Sequence, residues 1–344
     1  MSRVTLANQA DSAAWNIYIN QRAEASVYHR FEMAELVEQV FAQQSYFFKS
    51  TDQTGAINGV LPLIRLKSRL FGDFFVSVPF FNYGGVLADS PEIASNLIDA
   101  ASAEATRLGL SHIELRHVTP IEHALSLRQD KLSMVKQLPD SREALQKSFK
   151  TKLRAQIKRP IRDGASVRVG GEELLIDFYQ VFAENMRDLG TPVYSINFFK
   201  AMLNQKWLDT SIIVVTIDDE ATAAGFLIKD GPRMEIPWAS TRSKFNRFSV
   251  NMLLYSEALG TAIDQGCTAF DFGRSSVDSG TYRFKKQWGA EPVQLNWQYW
   301  LAEGQSMPAL TPSNPKYELA IKIWQKLPIP IANLLGPAIV RNLP

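Results

Sequence analysis

The chain has 344 residues, 46% of them hydrophobic and 21% charged, and carries a formal net charge of +2. The length suggests about two domains, and the composition is that of a globular chain able to bury sizeable cores rather than a disordered one. So small a net charge argues against a protein dedicated to coating DNA and leaves room only for a local basic patch. The single cysteine, Cys267, excludes an intramolecular disulfide and fits a reducing compartment. The start, MSRVTLANQADSAAW, has early polar and acidic residues and no apolar core, unlike a secretory signal. No apolar run reaches the roughly 18 residues that a membrane span needs, and the reading places the protein in the cytoplasm.

In chain order, a helix is expected over Val27 to Gln43, with Phe31 and Ala34 on an apolar face and Glu35 and Glu38 beside it. Strands follow at Ser45 to Lys49, Gly59 to Leu66 and Phe74 to Val78, with Gly55 and Asn58-Gly59 as turn chemistry. Pro91 opens a helix to Arg107, stopped at Gly109, before a strand from Ser111 to Arg116. The second half repeats this order. A helix over about Glu172 to Leu189 precedes strands at Ser211 to Ile217, Ala223 to Lys229 and Met234 to Ala239. Ser249 is the expected N-cap of a helix ending near Gln265, with Gly266 as its stop and a strand from Thr268 to Phe272 after it.

The helix–Gly–strand steps of the two halves can be laid on each other. Gly109 falls on Gly266, Ile113 on Phe270 and Glu114 on Asp271. This predicts two copies of one mixed α/β unit, with a boundary near Pro139-Asp140 and domains over 1–139 and 140–310. Residues 311–344 form an amphipathic tail. In it Tyr317, Ile321 and Trp324 share a helix face near Lys316, Lys322 and Lys326, and Pro328 and Pro330 separate a second apolar piece, IANLLGPAIVRNL. The tail either packs on the protein's own surface or docks peripherally on the inner membrane.

Between the halves, Leu145 to Gly164 (LQKSFKTKLRAQIKRPIRDG) reads as a helix that Pro160 should end or kink near Arg159. Phe149, Leu153 and Ile157 make an apolar stripe, and Lys150, Arg154 and Lys158 a cationic one. The cations are either a solvated face or a surface that holds substrate phosphates.

The densest chemistry is Phe270 to Gly289, FDFGRSSVDSGTYRFKKQWG. A strand ends at Phe272, Gly273 permits a tight exit, and Arg274, Ser275, Ser276, Asp278, Tyr282, Arg283, Lys285 and Lys286 crowd the loop, where α/β proteins place function. Asp271 could equally be a structural partner of Arg274. A second candidate is Pro79 to Asp89, with Asn82 and Tyr83 before Gly84-Gly85, whose alternative is a bulge or turn. The four histidines stand at no metal-binding spacing, and there is no GxSxG elbow, Walker loop or dinucleotide glycine pattern.

At these residues the chain resembles the Fem-type (FemAB) peptidyltransferases, aminoacyl transferases related to the GNAT acetyltransferases. The likeness is carried by FDFGR at Phe270 to Arg274, by Phe284-Lys285 followed by Trp288-Gly289, and by the basic helix Lys150 to Gly164. HRFEMAELVEQVF, LPLIRLKSRLFGDFFVSVPFFNYGGVLAD and GTYRFKKQWGAEPV are similar to FemAB-type proteins associated with PEP-CTERM/exosortase exopolysaccharide systems. The resemblance implies two GNAT-like domains with a cleft between them. It implies transfer of an acyl or aminoacyl group to an amine of a peptidoglycan or exopolysaccharide precursor, and a role for Lys285 in stabilising charge at the reacting carbonyl. Two departures stand out. Thr241 to Ser249 (TRSKFNRFS) has no glycine with which to cradle a pyrophosphate, so aminoacyl-tRNA is expected as donor before acyl-CoA. No coiled-coil arm for tRNA is visible.

The chemistry expected needs no metal or bound cofactor. Lys285 would stabilise the tetrahedral oxyanion, with Arg274 second. Asp271 or Asp278 would take the amine's proton. Asn82, Tyr83, Ser275 and Tyr282 would orient substrate. The rival functions are a non-catalytic protein that binds a glycan or lipid-linked precursor, an acyl-CoA-dependent N-acetyltransferase, and an RNA-binding protein using Lys147 to Arg162, in which Phe149 is the sole aromatic.

Overall fold

The computed structural model describes residues 2–308 and 318–344. The chain divides into two compact units, one of residues 1–131, 294–310 and 341–344, the other of 132–293 and 311–340. In chain order the first unit holds β1 (Arg3–Leu6), α1 (Ser12–Asn20), α2 (Phe31–Phe41), β2 (Gln44–Thr51), β3 (Ile57–Ser68), β4 (Gly72–Val76), β5 (Leu87–Ala88), α3 (Pro91–Leu108), β6 (His112–His117) and β7 (Ser126–Arg128). The second unit continues with β8 (Leu132–Gln137), α4 (Arg142–Ser148), α5 (Thr151–Arg162), β9 (Ser166–Gly170), α6 (Leu175–Asp188), α7 (Ile196–Leu203), β10 (Asp209–Ile217), β11 (Glu220–Asp230), β12 (Arg233–Thr241), α8 (Val250–Asp264), β13 (Ala269–Ser275), α9 (Gly280–Lys286) and β14 (Glu291–Gln294). After it β15 (Asn296–Leu301) returns to the first unit, and α10 (Glu318–Trp324) and α11 (Ile329–Val340) close the second.

The expected boundary near Pro139-Asp140 therefore moves to Lys131/Leu132, because β8 pairs antiparallel with β13 and belongs to the second sheet. The first sheet runs β1-β2-β3-β4-β6-β15-β7, with β5 on β3; the second runs β14-β8-β13-β12-β11-β10-β9. Each contains a parallel step at the same place. In the first, Phe75 pairs with Ile113 and Val76 with Glu114; in the second, Met234 pairs with Phe270 and Glu235 with Asp271. The helices entering these steps end alike. Leu110 N donates to Ala105 O (2.9 Å) and Gly109 N to Thr106 O (3.0 Å); Cys267 N donates to Ala262 O (2.9 Å) and Gly266 N to Ile263 O (2.9 Å). Both are Schellman closures, which require the left-handed backbone that Gly109 (φ 70°) and Gly266 (φ 74°) adopt. The correspondence of Glu114 with Asp271 expected from sequence is thus a correspondence of structure.

Several local expectations are corrected. β1 and α1 precede the first element read from sequence. The helix expected from Val27 is a 3-10 turn, Val27–His29, then an extended Arg30 (ψ 144°), then α2. The basic segment is two helices, α4 and α5, joined by extended Phe149 and Lys150. Pro160 neither ends nor breaks α5, which runs to Arg162. It sits in the last turn, where the missing N–H removes one bond and little helix remains to be disrupted. Ser249 precedes α8 but its side chain caps nothing; it is left-handed (φ 60°), and its carbonyl accepts from Met252 N at 2.9 Å.

One face of the second sheet packs α5 and α8 through Phe149, Leu153, Ile157, Leu254, Phe270 and Trp288, so the apolar stripe predicted for the basic segment is buried. The other face is aromatic: Phe199 lies 4.9 Å from Phe178, 5.1 Å from Phe182 and 5.2 Å from Trp238, ring to ring. The first unit buries Leu61, Leu63, Phe75 and Ile113 with Leu97 and Ile98 of α3. Its core also holds a charged pair. Arg116 Nε and Nη2 both lie 2.7 Å from Glu114 Oε1, the Tyr299 hydroxyl donates to Glu114 Oε2 at 2.8 Å, and the guanidinium lies 4.5 Å from the Trp297 ring centre.

Since both charges are buried, removing one strands the other. Arg116→Leu should destabilise the protein by about 3–5 kcal/mol, and the double change Glu114→Leu/Arg116→Leu should recover most of the loss. Urea denaturation midpoints check both.

Candidate functional site

Two strands that stop pairing create the site. Parallel pairing of β12 with β13 ends at Glu235 and Asp271. Beyond that point β12 carries Pro237, which has no N–H to donate. It sits in a bulge, since Ile228 pairs with Glu235 and Phe226 with Trp238. On its other side β13 also bulges: Asp271 pairs with Val135 but Arg274 with Ser133. Gly273 takes the strained position at φ 75°. Asp271, fully buried, fixes this exit. Its Oδ1 accepts from Gly273 N (2.8 Å) and from Ser133 Oγ (2.7 Å).

The bulge presents two carbonyls to one lysine. Lys285 Nζ donates to Gly273 O (3.0 Å) and Arg274 O (2.8 Å), and the side chain is only 7% exposed. It projects from α9, whose first turn is set by Ser279 Oγ accepting from Tyr282 N at 3.1 Å. Burial pulls the Lys285 pKa down to about 8, opposed by the carboxylates of Asp271 and Glu235 and assisted by Arg274. The ammonium thus persists at neutral pH, with one N–H beyond the two bonded to the carbonyls. Phe284, its neighbour, packs on Tyr255 (5.0 Å), which stacks on Phe272 (5.6 Å).

Phe284 and Tyr255 also line a cleft of about 370 Å³, together with Asn185, Asp188, Ser240, Asn246 and Asn251. This lining offers amides, hydroxyls and one carboxylate. The glycine-free stretch before α8 is a 3-10 turn, Ser243–Phe248.

The remaining predicted residues fall as follows. Arg274, near the end of β13, and Asp278, on the loop after it, are exposed, Asp278 at φ 57°. Ser275 is buried, with no hydrogen bond to its Oγ among the described residues. Tyr282 has the Lys286 ammonium 5.7 Å from its ring centre. Lys150 caps α5 from extended backbone, and Arg154 and Lys158 follow at one-turn spacing. Asn82 and Tyr83 belong to the first unit, where β4 and β6 also part after Val76 and Glu114. There the following loop fills the gap: Ser77 N donates to Glu114 O (2.9 Å), Gly84 N to Arg116 O (3.1 Å) and Arg116 N to Ser77 Oγ (2.8 Å). A Cβ on Gly85 would stand 2.1 Å from His117 Cδ2, and one on Gly84 2.4 Å from Ser77 O. The double glycine serves close packing, and Tyr83 is buried against Tyr28. Sequence reasoning missed Ser133, Glu235 and Tyr255. The signal available for Glu235 was the proline inside the apolar strand Met234-Glu235-Ile236-Pro237-Trp238.

Residues 147–286, from the basic segment through Lys285, match the model of the acetyltransferase (GNAT) domain. Over 165 residues the chain is 27% identical to a UDP-N-acetylmuramoylpentapeptide-lysine N(6)-alanyltransferase of Weissella viridescens, a match covering 46% of this chain and 48% of that protein. The match thus spans about half the length of this curated relative. In three dimensions the chain is similar to FemX, with a TM-score of 0.66 at 13% identity over 93% of this chain and 100% of that one. A tandem GNAT protein from the clavulanic acid biosynthesis pathway gives 0.57 at 10% identity over 89% and 100%. The C-terminal domain of a putative lysylphosphatidylglycerol synthetase from Agrobacterium fabrum gives 0.56 at 12% over 85% and 92%. The fold is mixed α/β, with two helix-flanked mixed sheets and GNAT-like architecture.

The geometry fixes how Lys285 should titrate. In side-chain lysine NMR one ammonium, absent in Lys285→Arg, should titrate near 8. Asp271→Asn should move that value lower, because it removes a charge that favours the ammonium. A titration at the ordinary lysine value would contradict the buried placement.

Proposed function

We propose that the chain is an acyltransferase that moves an acyl or aminoacyl group onto an amine of a cell-envelope precursor. The observation that carries this reading is Lys285, an ammonium buried at the broken end of a parallel strand pair, beside a polar cleft and inside the region that matches a GNAT domain. Amine attack on a carbonyl builds negative charge on oxygen. A preorganised donor at that oxygen is often the largest catalytic contribution, about 3 kcal/mol for a single donor. The remaining Lys285 N–H is that donor, and Arg274, exposed near the end of β13, is the second cation. Asp271 is committed to Gly273 and Ser133, so its part is to hold the bulge and keep Lys285 charged. This leaves Asp278, open to solvent, to take the amine's proton through water. Ser275 and Tyr282 flank the loop of Asp278 and orient the acceptor.

The acceptor class follows the curated relative, whose name specifies the lysine of a UDP-linked muramoyl pentapeptide. A peptidoglycan precursor comes first, and an exopolysaccharide precursor of the PEP-CTERM type second, on the sequence blocks given above. Lys150, Arg154 and Lys158 would bind the precursor's phosphates. For the donor, an aminoacyl ester such as aminoacyl-tRNA fits better than acyl-CoA. The cleft lining brings a carboxylate, Asp188, where a diphosphate would want cations and glycine N–H groups. We place the reaction in the cytoplasm; among the described residues no helix is long and apolar enough to cross a membrane.

Lys285→Ala should lower turnover by about a hundredfold or more with the melting temperature little changed. In the wild type, turnover should fall about tenfold per pH unit above the Lys285 pKa as the ammonium is lost. A folded variant that keeps turnover would remove Lys285 from the chemistry. Replacing Lys150, Arg154 and Lys158 together by Gln should weaken binding of a UDP-linked precursor by about tenfold at low salt and much less at about 1 M salt. Calorimetry at the two salt concentrations reads the difference.

A further inference from the structure

The last two helices carry apolar surface that the reaction does not use. The face predicted from sequence to be amphipathic turns inward. Trp324 is buried, and Ile321 lies so near the loop after α6 that a Cβ on Gly190 would come within 2.4 Å of its Cγ2. Tyr317 and Lys316 lie outside the described residues. α11 turns Ala332, Gly336 and Val340 inward at four-residue spacing, and a Cβ on Gly336 would meet Val193 N at 2.8 Å. The helix is thus held down by a close backbone approach.

The opposite sides face solvent. On α10, Leu319 is 70% and Ile323 56% exposed, one turn apart. On α11, Leu334 is 77%, Leu335 45% and Ile331 44% exposed, the i, i+3, i+4 pattern of a single stripe. After Glu318 the chain contains no acidic residue, and its charges are Lys322, Lys326 and Arg341. Lys322 pairs with Glu318 at 2.6 Å.

Large apolar side chains beside cations that outnumber the one acid, Glu318, match a surface that offers both apolar depth and negative head groups. A second copy of this chain would bring the same cations together, which opposes self-association through this face. We propose that α10 and α11 form a peripheral docking surface for an anionic lipid bilayer. Leu319, Ile323, Ile331, Leu334 and Leu335 enter the interface while Lys322 and Lys326 meet the head groups. α11, with 12 residues, is about 18 Å long, far short of a bilayer's roughly 30 Å core. The helices therefore lie on the membrane rather than span it.

Flotation of the full chain with vesicles of phosphatidylglycerol and phosphatidylethanolamine tests this, with phosphatidylcholine vesicles as the neutral arm. The wild type should float with the anionic vesicles at least fivefold more than with the neutral ones. Leu334→Ser/Leu335→Ser, whose side chains face solvent, should abolish that preference without lowering the melting temperature. Absence of flotation, or equal flotation of variant and wild type, overturns the proposal. A wild-type dimer in light scattering that the same two substitutions dissolve also overturns it, assigning the face to a second copy. None of these outcomes depends on turnover, so the acyltransferase reading stands or falls separately.

Discussion

Everything at the candidate site depends on a hydrogen-bond ladder that is made to stop. Strands β12 and β13 pair for three residues and then separate, because Pro237 removes a donor on one side and Gly273 kinks the other. A continued ladder would have spent the Gly273 and Arg274 carbonyls on strand pairing and left no opening beside them. Released, they hold an ammonium in a place that would otherwise expel it. Burial disfavours the charge, and the two carbonyls with Asp271 and Glu235 restore it. The lysine is positioned by backbone atoms, which do not change rotamer, and this is the form of support a preorganised electrostatic site requires.

The two units show what becomes of that opening when it is filled. Each has the same helix closure, the same parallel step and an acid at the same strand position. In the second unit the acid, Asp271, braces a kink; in the first, Glu114 is consumed by Arg116 and Tyr299. The loop carrying Gly84 and Gly85 then occupies the gap, with its glycines against Ser77 and His117. One architecture thus supports an open crevice in one copy and a sealed core in the other. The difference lies in a handful of side chains rather than in topology.

Much of the scaffold was legible in the sequence because periodicity and glycine stops are local signals. The strands of both halves, α3, α8 and the buried stripe of Phe149, Leu153 and Ile157 all follow from them. The equivalence of Glu114 and Asp271 was visible from the Gly109 and Gly266 stops together with the matching order of the strands and helix before them. What escaped were features set by distant partners. Nothing local in β8 announces its pairing with β13, so the unit boundary was read several residues late. The Ser133 hydroxyl finds Asp271 only across that pairing. Pro160 was over-read because a proline's effect depends on how much helix follows it, and the double glycine at Gly84 because loop flexibility and tight packing leave the same mark in a sequence.

The Schellman turn that launches β13 has a practical consequence. Its third residue past the helix is Cys267, the chain's one thiol, buried and with its pKa pushed up by that burial. A thiol reagent in the solvent can reach it only when the turn between α8 and β13 opens. The rate of labelling, relative to that of a free thiol, therefore measures the free energy of that opening when reclosing outpaces labelling. With a single thiol the signal needs no assignment and no engineered probe. It reports on the strand that carries Asp271 and Gly273, so the molecule contains an intrinsic gauge of how firmly that strand is held.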